Sequence, residues 1–214
     1  ITDALWKIID HATFKHPFTL EKSLDFFRAF FRHHEAIFGH LDDKLIEQII
    51  TEHYRIVSQI PVAGTILLNH DMTRVLYVVQ ESHGSKTISP PRGKRNQNES
   101  PIQTAIRECQ EETGLDVLPF ILENEYITFQ FNSRTTHLFI VVTPLSGFEE
   151  LPRPQLSLLN KRNSEIASLR WIDIKALPSD IRINRSIPDL LYHWTQLKLQ
   201  NPTANHQETK KIFL

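Results

Sequence analysis

The stretch over residues 93–115, GKRNQNESPIQTAIRECQEETGL, restricts this chain more than any other. Ser100-Pro101 reads as a helix start, with a hydroxyl at the cap and proline at the first helical position, where its missing N–H is not needed. Gly114 closes the helix, as a residue that enters the left-handed region without strain. Gly93 stands where the chain must bend tightly into the loop ahead of the helix. Inside the helix, Glu108, Glu111 and Glu112 are spaced i, i+3, i+4, so their carboxylates share one face. Three anions so placed repel one another unless a cation lies between them. Hard oxygen donors favour magnesium or manganese. Such ions bridge phosphate oxygens and activate water, which points to phosphoanhydride hydrolysis. Glutamates of this kind are most often a solvated helix face, but the register with Gly93, Glu99, Arg107 and Gly114 argues against that here.

The rest of the chain divides around residue 60. Residues 1–56 read as helical. A short segment over 4–11 is apolar on one side. Thr19 caps a helix over 20–31, where Leu20, Leu24, Phe27 and Phe31 recur at helical spacing. Asp42 or Asp43 caps a further helix through Tyr54, with Leu45, Ile46, Ile49 and Ile50 facing inward. Strand-like runs follow over 61–68 and 75–79, separated by the turn-rich Asn69-His70-Asp71. Gly, Ser and Pro make 82–91 a loop. Strands are expected over 126–131, 137–142 and 166–172, a loop over 144–164, and an amphipathic helix over 187–199. The pattern predicts an α+β chain: a helical N-terminal domain over 1–58, an α/β domain with a mixed sheet over 59–200, and a flexible tail over 201–214.

Composition sets limits rather than identities. The chain has 214 residues, 40% of them hydrophobic, enough for a packed core. Its formal net charge of −1 names no partner, so any nucleic acid must be held by local basic residues. No apolar run approaches the length that crosses a bilayer, and no signal peptide is visible. Cys109 is the one cysteine, so neither an internal disulfide nor a zinc cluster can form. That fits a reducing, cytoplasmic setting. On its helix Cys109 lies opposite the glutamate face and reads as a small core residue.

The spacing over 93–115 resembles the Nudix box, with every defining position filled. The resemblance extends outward to the catalytic subunit of the eukaryotic mRNA-decapping complex. It is carried by IPVAGTILLN over 60–69, by Pro91-Arg92-Gly93-Lys94, by Asn163-Ser164-Glu165-Ile166 followed by Leu169-Arg170-Trp171, and by EKSLDFFRAFF over 21–31. It implies an all-helical regulatory-like module followed by a Nudix α/β/α sandwich with a mixed sheet. It also implies hydrolysis of the 5′ cap, releasing 7-methylguanosine diphosphate and 5′-monophosphate RNA. By the same resemblance Glu108, Glu111 and Glu112 hold Mg²⁺ or Mn²⁺, and Arg107 orients Glu108. Glu165 is the general base or a further metal ligand. Arg92 and Lys94 meet substrate phosphate, and Glu99 braces the loop or the metal shell. The implied partners are a capped RNA or nucleotide substrate and an activating subunit on the helical module, with no membrane.

The chain also departs from that family. Asp25 and Ala29 stand where the family carries a cap-stacking aromatic and an acid, and Ile88 replaces a tryptophan at the entry to the box. Without the aromatic, little discrimination for the methylated cap is expected. Phe26, Phe27, Phe30 and Phe31 read instead as core and interdomain packing. Two alternatives stay open: a Nudix hydrolase of dinucleoside polyphosphates or diphosphoinositol phosphates, and a non-catalytic RNA- or nucleotide-binding module.

Overall fold

A computed structural model describes residues 20–82, 85–131, 134–144, 166–175 and 186–200. The chain splits into two compact units, Ile1–Ile60 and Pro61–Leu214.

In the first unit, α1 (Leu20–His33) is followed by the single turn α2 (Glu35–Phe38) and by α3 (Asp43–Gln59). Asp42 caps α3 by accepting from the Leu45 N–H at 2.7 Å. The core is Phe27 and Phe31 from α1 against Ile46 and Ile50 from α3, two i, i+4 pairs facing each other. Leu24, Phe30, Ile49 and Tyr54 close around them. Arg32 also pairs with Asp43 at 2.8 Å. Two expectations fail here. Leu45 is 40% exposed, and Phe26 is 41% exposed. One neighbouring helix covers only a narrow stripe, so a residue one position beside that stripe stays in solvent. The expected helix over 4–11 lies outside the described residues.

The second unit is built on β1 (Val62–Leu68), buried along its whole length. It lies in a mixed sheet with β2 (Arg74–Ser82), β3 (Ser85–Ser89), β4 (Arg92–Lys94), β5 (Tyr126–Phe131), β6 (Arg134–Val142) and β7 (Ile166–Asp173). The path runs β3-β2-β1-β6-β5, with β4 added to β1 and β7 to β2. Among the described residues only β1 and β6 run parallel; the other pairs are antiparallel. A strand buried on both faces needs cover on both, and two helices supply it. Leu67, Leu76 and Val141 pack with Cys109 of α4 (Pro101–Thr113). Ile66, Leu68, Val75, Tyr77 and Ile140 pack with Leu191 and Trp194 of α5 (Ser186–Gln200). Each such aliphatic side chain contributes about 1.5–3 kcal/mol by leaving water. The α+β class, the helical start and the mixed sheet are as expected.

Within the loop expected over 82–91, a strand stands instead. Ser85–Ser89 forms β3 on β2, with Val79 opposite Ile88, and Ile88 is 3% exposed in the core. The surrounding Gly, Ser and Pro masked a β-branched pair, Thr87-Ile88, that supplies a strand. No described helix is long and apolar enough to cross a membrane. The expected tail over 201–214 and nearly all of the expected loop over 144–164 fall outside the described residues.

Candidate active site

The box folds as strand, loop and helix. Ser100 caps α4, accepting from the Gln103 N–H, while the Gln103 side chain accepts from the Ser100 N–H. Pro101 occupies the first turn, and Gly114 ends the helix at φ 77°, a left-handed cap whose N–H donates to the Gln110 carbonyl. Between β4 and α4, the loop is tied down by Glu99. Its carboxylate accepts from the Asn96 N–H at 3.0 Å, from the Asn96 amide at 3.1 Å and from the Thr104 hydroxyl at 2.9 Å.

Arg107 is the hub. Its Nε and Nη2 donate to the two oxygens of Glu99 at 2.7 and 3.0 Å, a bidentate fork. Its Nη1 donates to Glu108 at 2.7 Å and to Glu111 at 3.2 Å, and its Nη2 also donates to the Lys94 carbonyl at 3.1 Å. One guanidinium thus joins the loop, β4 and two carboxylates of the helix. The hydrogen bonds from Arg107 lead the effects that bring Glu99 down to about 2. Reciprocally, Glu99 leads those that raise Arg107.

Glu108 and Glu112 sit in a different environment. Glu112 is 7% exposed, and its Oε2 accepts from the Arg92 N–H at 3.0 Å. Burial pushes it up to about 8 against that hydrogen bond, and the Glu108 charge adds to the rise. Burial likewise raises Glu108, opposed by Arg107. Gly93 passes directly over Glu108: a Cβ built there would fall on both carboxylate oxygens. The close approach of β4 to α4 therefore requires glycine.

Among the described residues, no three His, Cys, Asp or Glu side chains converge into a metal-holding group. Glu108 and Glu111 are turned onto Arg107, and Glu112 onto the Arg92 backbone. The donors still suit a hard divalent cation. Glu112 is buried and its proton affinity is raised by burial and further by the Glu108 charge, and carboxylate oxygens are the ligands Mg²⁺ and Mn²⁺ prefer.

The residues expected together from the sequence mostly meet. Arg92, Gly93, Glu99, Arg107, Glu108, Glu111, Glu112 and the Lys94 backbone form one network. The Lys94 side chain is exposed. Cys109 is fully buried on the opposite side of α4, against Leu67 and Val141. Glu165 lies outside the described residues. A residue the sequence did not flag is Arg134, at the start of β6, whose charge acts on Arg92. The signal was available: Thr135-Thr136 extends the strand pattern two residues ahead of His137, which brings Arg134 into the sheet.

Known proteins resemble this chain in sequence. The chain is 27% identical over 185 residues to the m7GpppN-mRNA hydrolase of Saccharomyces cerevisiae, covering 80% of this chain and 18% of that protein. It is 34% identical over 114 residues to mRNA-decapping enzyme subunit 2 of Arabidopsis thaliana, covering 52% of this chain and 30% of that protein. The chain thus spans less than a third of the length of either relative. Among solved structures, an Ap4A hydrolase of C. elegans aligns with a TM-score of 0.48 at 16% identity, covering 65% of this chain and 98% of that one. The NUDIX domain model matches residues 59–193, well over half of the sequence, and the chain belongs to the NUDIX family.

Proposed function

We propose that this chain is a metal-dependent hydrolase of the 5′ cap of mRNA, yielding (7-methyl)guanosine diphosphate and 5′-monophosphate RNA. The observation that carries the reading is the buried Glu112, close in charge to Glu108 and hydrogen-bonded to the β4 backbone. A desolvated carboxylate pair at the mouth of a strand–loop–helix is of little use to a binding module and suits a cation that handles phosphate. The capped substrate is supported by the similarity to an m7GpppN-mRNA hydrolase and an mRNA-decapping subunit.

In this reading Glu108, Glu111 and Glu112 hold Mg²⁺ or Mn²⁺. The bound ion supplies charge neutralisation at the phosphate oxygens and a more acidic water. Arg107 fixes the Glu108 carboxylate through the 2.7 Å bond, and Glu111, held by the longer 3.2 Å bond, would supply a further ligand to the ion. Arg92 and Lys94 counter the charge of the phosphate chain. Glu165 takes the proton of the attacking water. Glu99 and Gly93 keep the loop and strand at the spacing the helix requires. An activating subunit docks on the helical unit, and the protein works in the cytoplasm.

The helical unit bears on selectivity. Asp25 is exposed on α1 and pairs with Arg28 at 3.3 Å, and Ala29 is exposed, so neither position offers a ring for the methylated guanine. Phe26, stacked beside Phe30 with centroids 6.3 Å apart, is the exposed aromatic of that helix. These features favour weak recognition of the N7 methyl group and keep dinucleoside polyphosphates as a second substrate class. Incubating RNA labelled at the cap phosphates, with and without the methyl group, with Mg²⁺ or Mn²⁺ separates the readings. Labelled (7-methyl)guanosine diphosphate is the expected product. Intact capped RNA alongside rapid cleavage of dinucleoside polyphosphate would replace the first reading with the second.

A further inference from the structure

The order of the strands leaves β5 at one edge of the sheet. It pairs with β6 along its whole length in one unbroken register. The Ile140 N–H donates to the Glu125 carbonyl at 2.8 Å, so the backbone groups of Glu125 and of every second residue after it face β6. Those of Thr128 and Gln130 therefore point away from the sheet. Among the described residues no strand lies against that side. An open edge is a template for another strand, and proteins blunt it with lysine, proline, a bulge or a very short length. β5 reads YITFQF, six residues without a charge, a proline or a glycine, so none of these guards is present.

The chain just ahead of β5 adds two further features. Leu118 is 63% and Leu122 58% exposed, and Phe120 between them also meets solvent. The segment is fixed in place. The N–H groups of Phe120 and Ile121 both donate to the Val117 carbonyl at 3.0 Å, and the Glu125 N–H donates to the Leu122 carbonyl at 3.2 Å. Val117 and Ile121 pack inward with Cys109 of α4. Single exposed apolar residues are ordinary, but three within five residues beside an open edge mark a contact surface. Charge is the second feature. No Lys, Arg or His occurs from Glu108 through Ser133. Glu108, Glu111 and Glu112 belong to the candidate site, and Glu125 pairs with Lys198 at 2.6 Å. Asp116 and Glu123 remain, both exposed. Such an edge repels the phosphates of a nucleic acid and suits a cationic partner.

We propose that the outer edge of β5 is a docking site for an extended, basic and apolar segment of another protein, which joins the sheet as a further strand. Backbone hydrogen bonds to Thr128 and Gln130 supply the pairing, as in strand addition generally. Apolar side chains of the segment cover Leu118, Phe120 and Leu122, and its lysine or arginine residues meet Asp116 and Glu123. Docking of this kind needs neither a metal nor a capped substrate.

The test uses the whole chain and a fluorescein-labelled peptide that alternates valine and threonine between terminal lysines. Fluorescence anisotropy reads binding, and amide hydrogen exchange reads Thr128 and Gln130. The expected result is binding that slows exchange at those two amides. Thr128→Pro removes an outward N–H and spares the β5–β6 ladder, as proline does on an edge strand. It should weaken binding about tenfold or more, the size for a lost hydrogen bond. Thr128→Lys keeps the N–H but sets a charge on the edge against the peptide's lysines, and should weaken binding as well. Thermal melts confirm which variants are folded, and either one alone suffices. The peptide with alternate amides N-methylated, or with glutamates for its lysines, should bind about tenfold more weakly. No binding by the wild type, equal binding of the N-methylated or acidic peptide, or undiminished binding by the folded variants overturns the proposal. So does protection of the Thr128 and Gln130 amides without peptide. Protection that grows with protein concentration would give the edge to a second copy, and protection that does not would give it to another segment of this chain.

Discussion

At the start of α4, Glu99 lies among donors: the Asn96 N–H and amide, the Thr104 hydroxyl and both prongs of Arg107. Three turns along, Glu112 is buried with one backbone N–H for company and another carboxylate, Glu108, near it. The residue type is the same and the segment is the same, yet the environments drive the two groups apart, to about 2 and to about 8. A carboxylate saturated with donors is a brace, with no lone pair to spare for a ligand. A carboxylate stripped of water and short of donors is one that an incoming cation stabilises. On the proposed reading, the difference separates scaffold from chemistry within a single motif.

The comparison breaks most sharply on Glu112. Glu112→Gln is expected to cut turnover on the order of 10³-fold, as for removal of one preorganised charge-stabilising group. The metal-free fold should survive, because an isosteric amide is easier to bury than an anion. Quenched-flow rates with excess enzyme measure the first, and a melt measures the second. Gly93→Ala comes next. Its methyl group would displace the Glu108 carboxylate, and a misplacement of that kind costs about 10²-fold in rate. The same melts should show a loss of about 1–3 kcal/mol from overpacking. A variant with wild-type rates would mean that the β4–α4 spacing is not tied to function.

Opposite pH slopes sharpen the contrast. In the metal-free protein Glu112 holds its proton in the folded state up to about 8 but releases it near 4.5 when unfolded. The folded state therefore binds more protons between those values, and stability falls as pH rises from about 4.5 to about 8. Glu99 behaves the other way. Its folded value is depressed from 4.5 to about 2, so its contribution is complete above 4.5 and is lost as pH falls toward 2. Melting temperatures across pH should show the first slope vanish in Glu112→Gln and the second in Glu99→Gln. The smallest effect concerns the cap methyl group. With Asp25 and Ala29 on the exposed face of α1 and no ring at either position, specificity constants for methylated and unmethylated caps should agree within about tenfold, the lower range of a stacking contribution. A larger preference, abolished by Phe26→Ala, would identify Phe26 as the stacking surface.

Much of this architecture is legible in the residues, and the failures have physical causes. Ser100-Pro101 and Gly114 bound α4 because capping is a local matter, settled within four residues. β3 is hidden because Thr87-Ile88 is short and flanked by turn formers, and its partner β2 decides its conformation from outside the segment. Leu45 and Phe26 read as inward because helical periodicity gives the apolar stripe without the width of the surface that covers it. The glutamate spacing announces a shared face, but the division of labour between Glu99 and Glu112 depends on which of them Arg107 and the β4 backbone reach.

The most direct test pairs two readings on two variants: single-turnover cleavage of cap-labelled RNA at saturating Mg²⁺, and metal-free melting temperature at pH 7, for Glu112→Gln and Glu99→Gln. The account predicts a crossed result. Glu112→Gln loses about 10³-fold in rate and melts at or above the wild-type temperature. Glu99→Gln loses about 1–3 kcal/mol of stability, as when one partner of a hydrogen-bonded charge pair is removed, and keeps most of its rate. Undiminished cleavage by Glu112→Gln, or a Glu99→Gln variant that melts like the wild type while losing as much rate as Glu112→Gln, would contradict it.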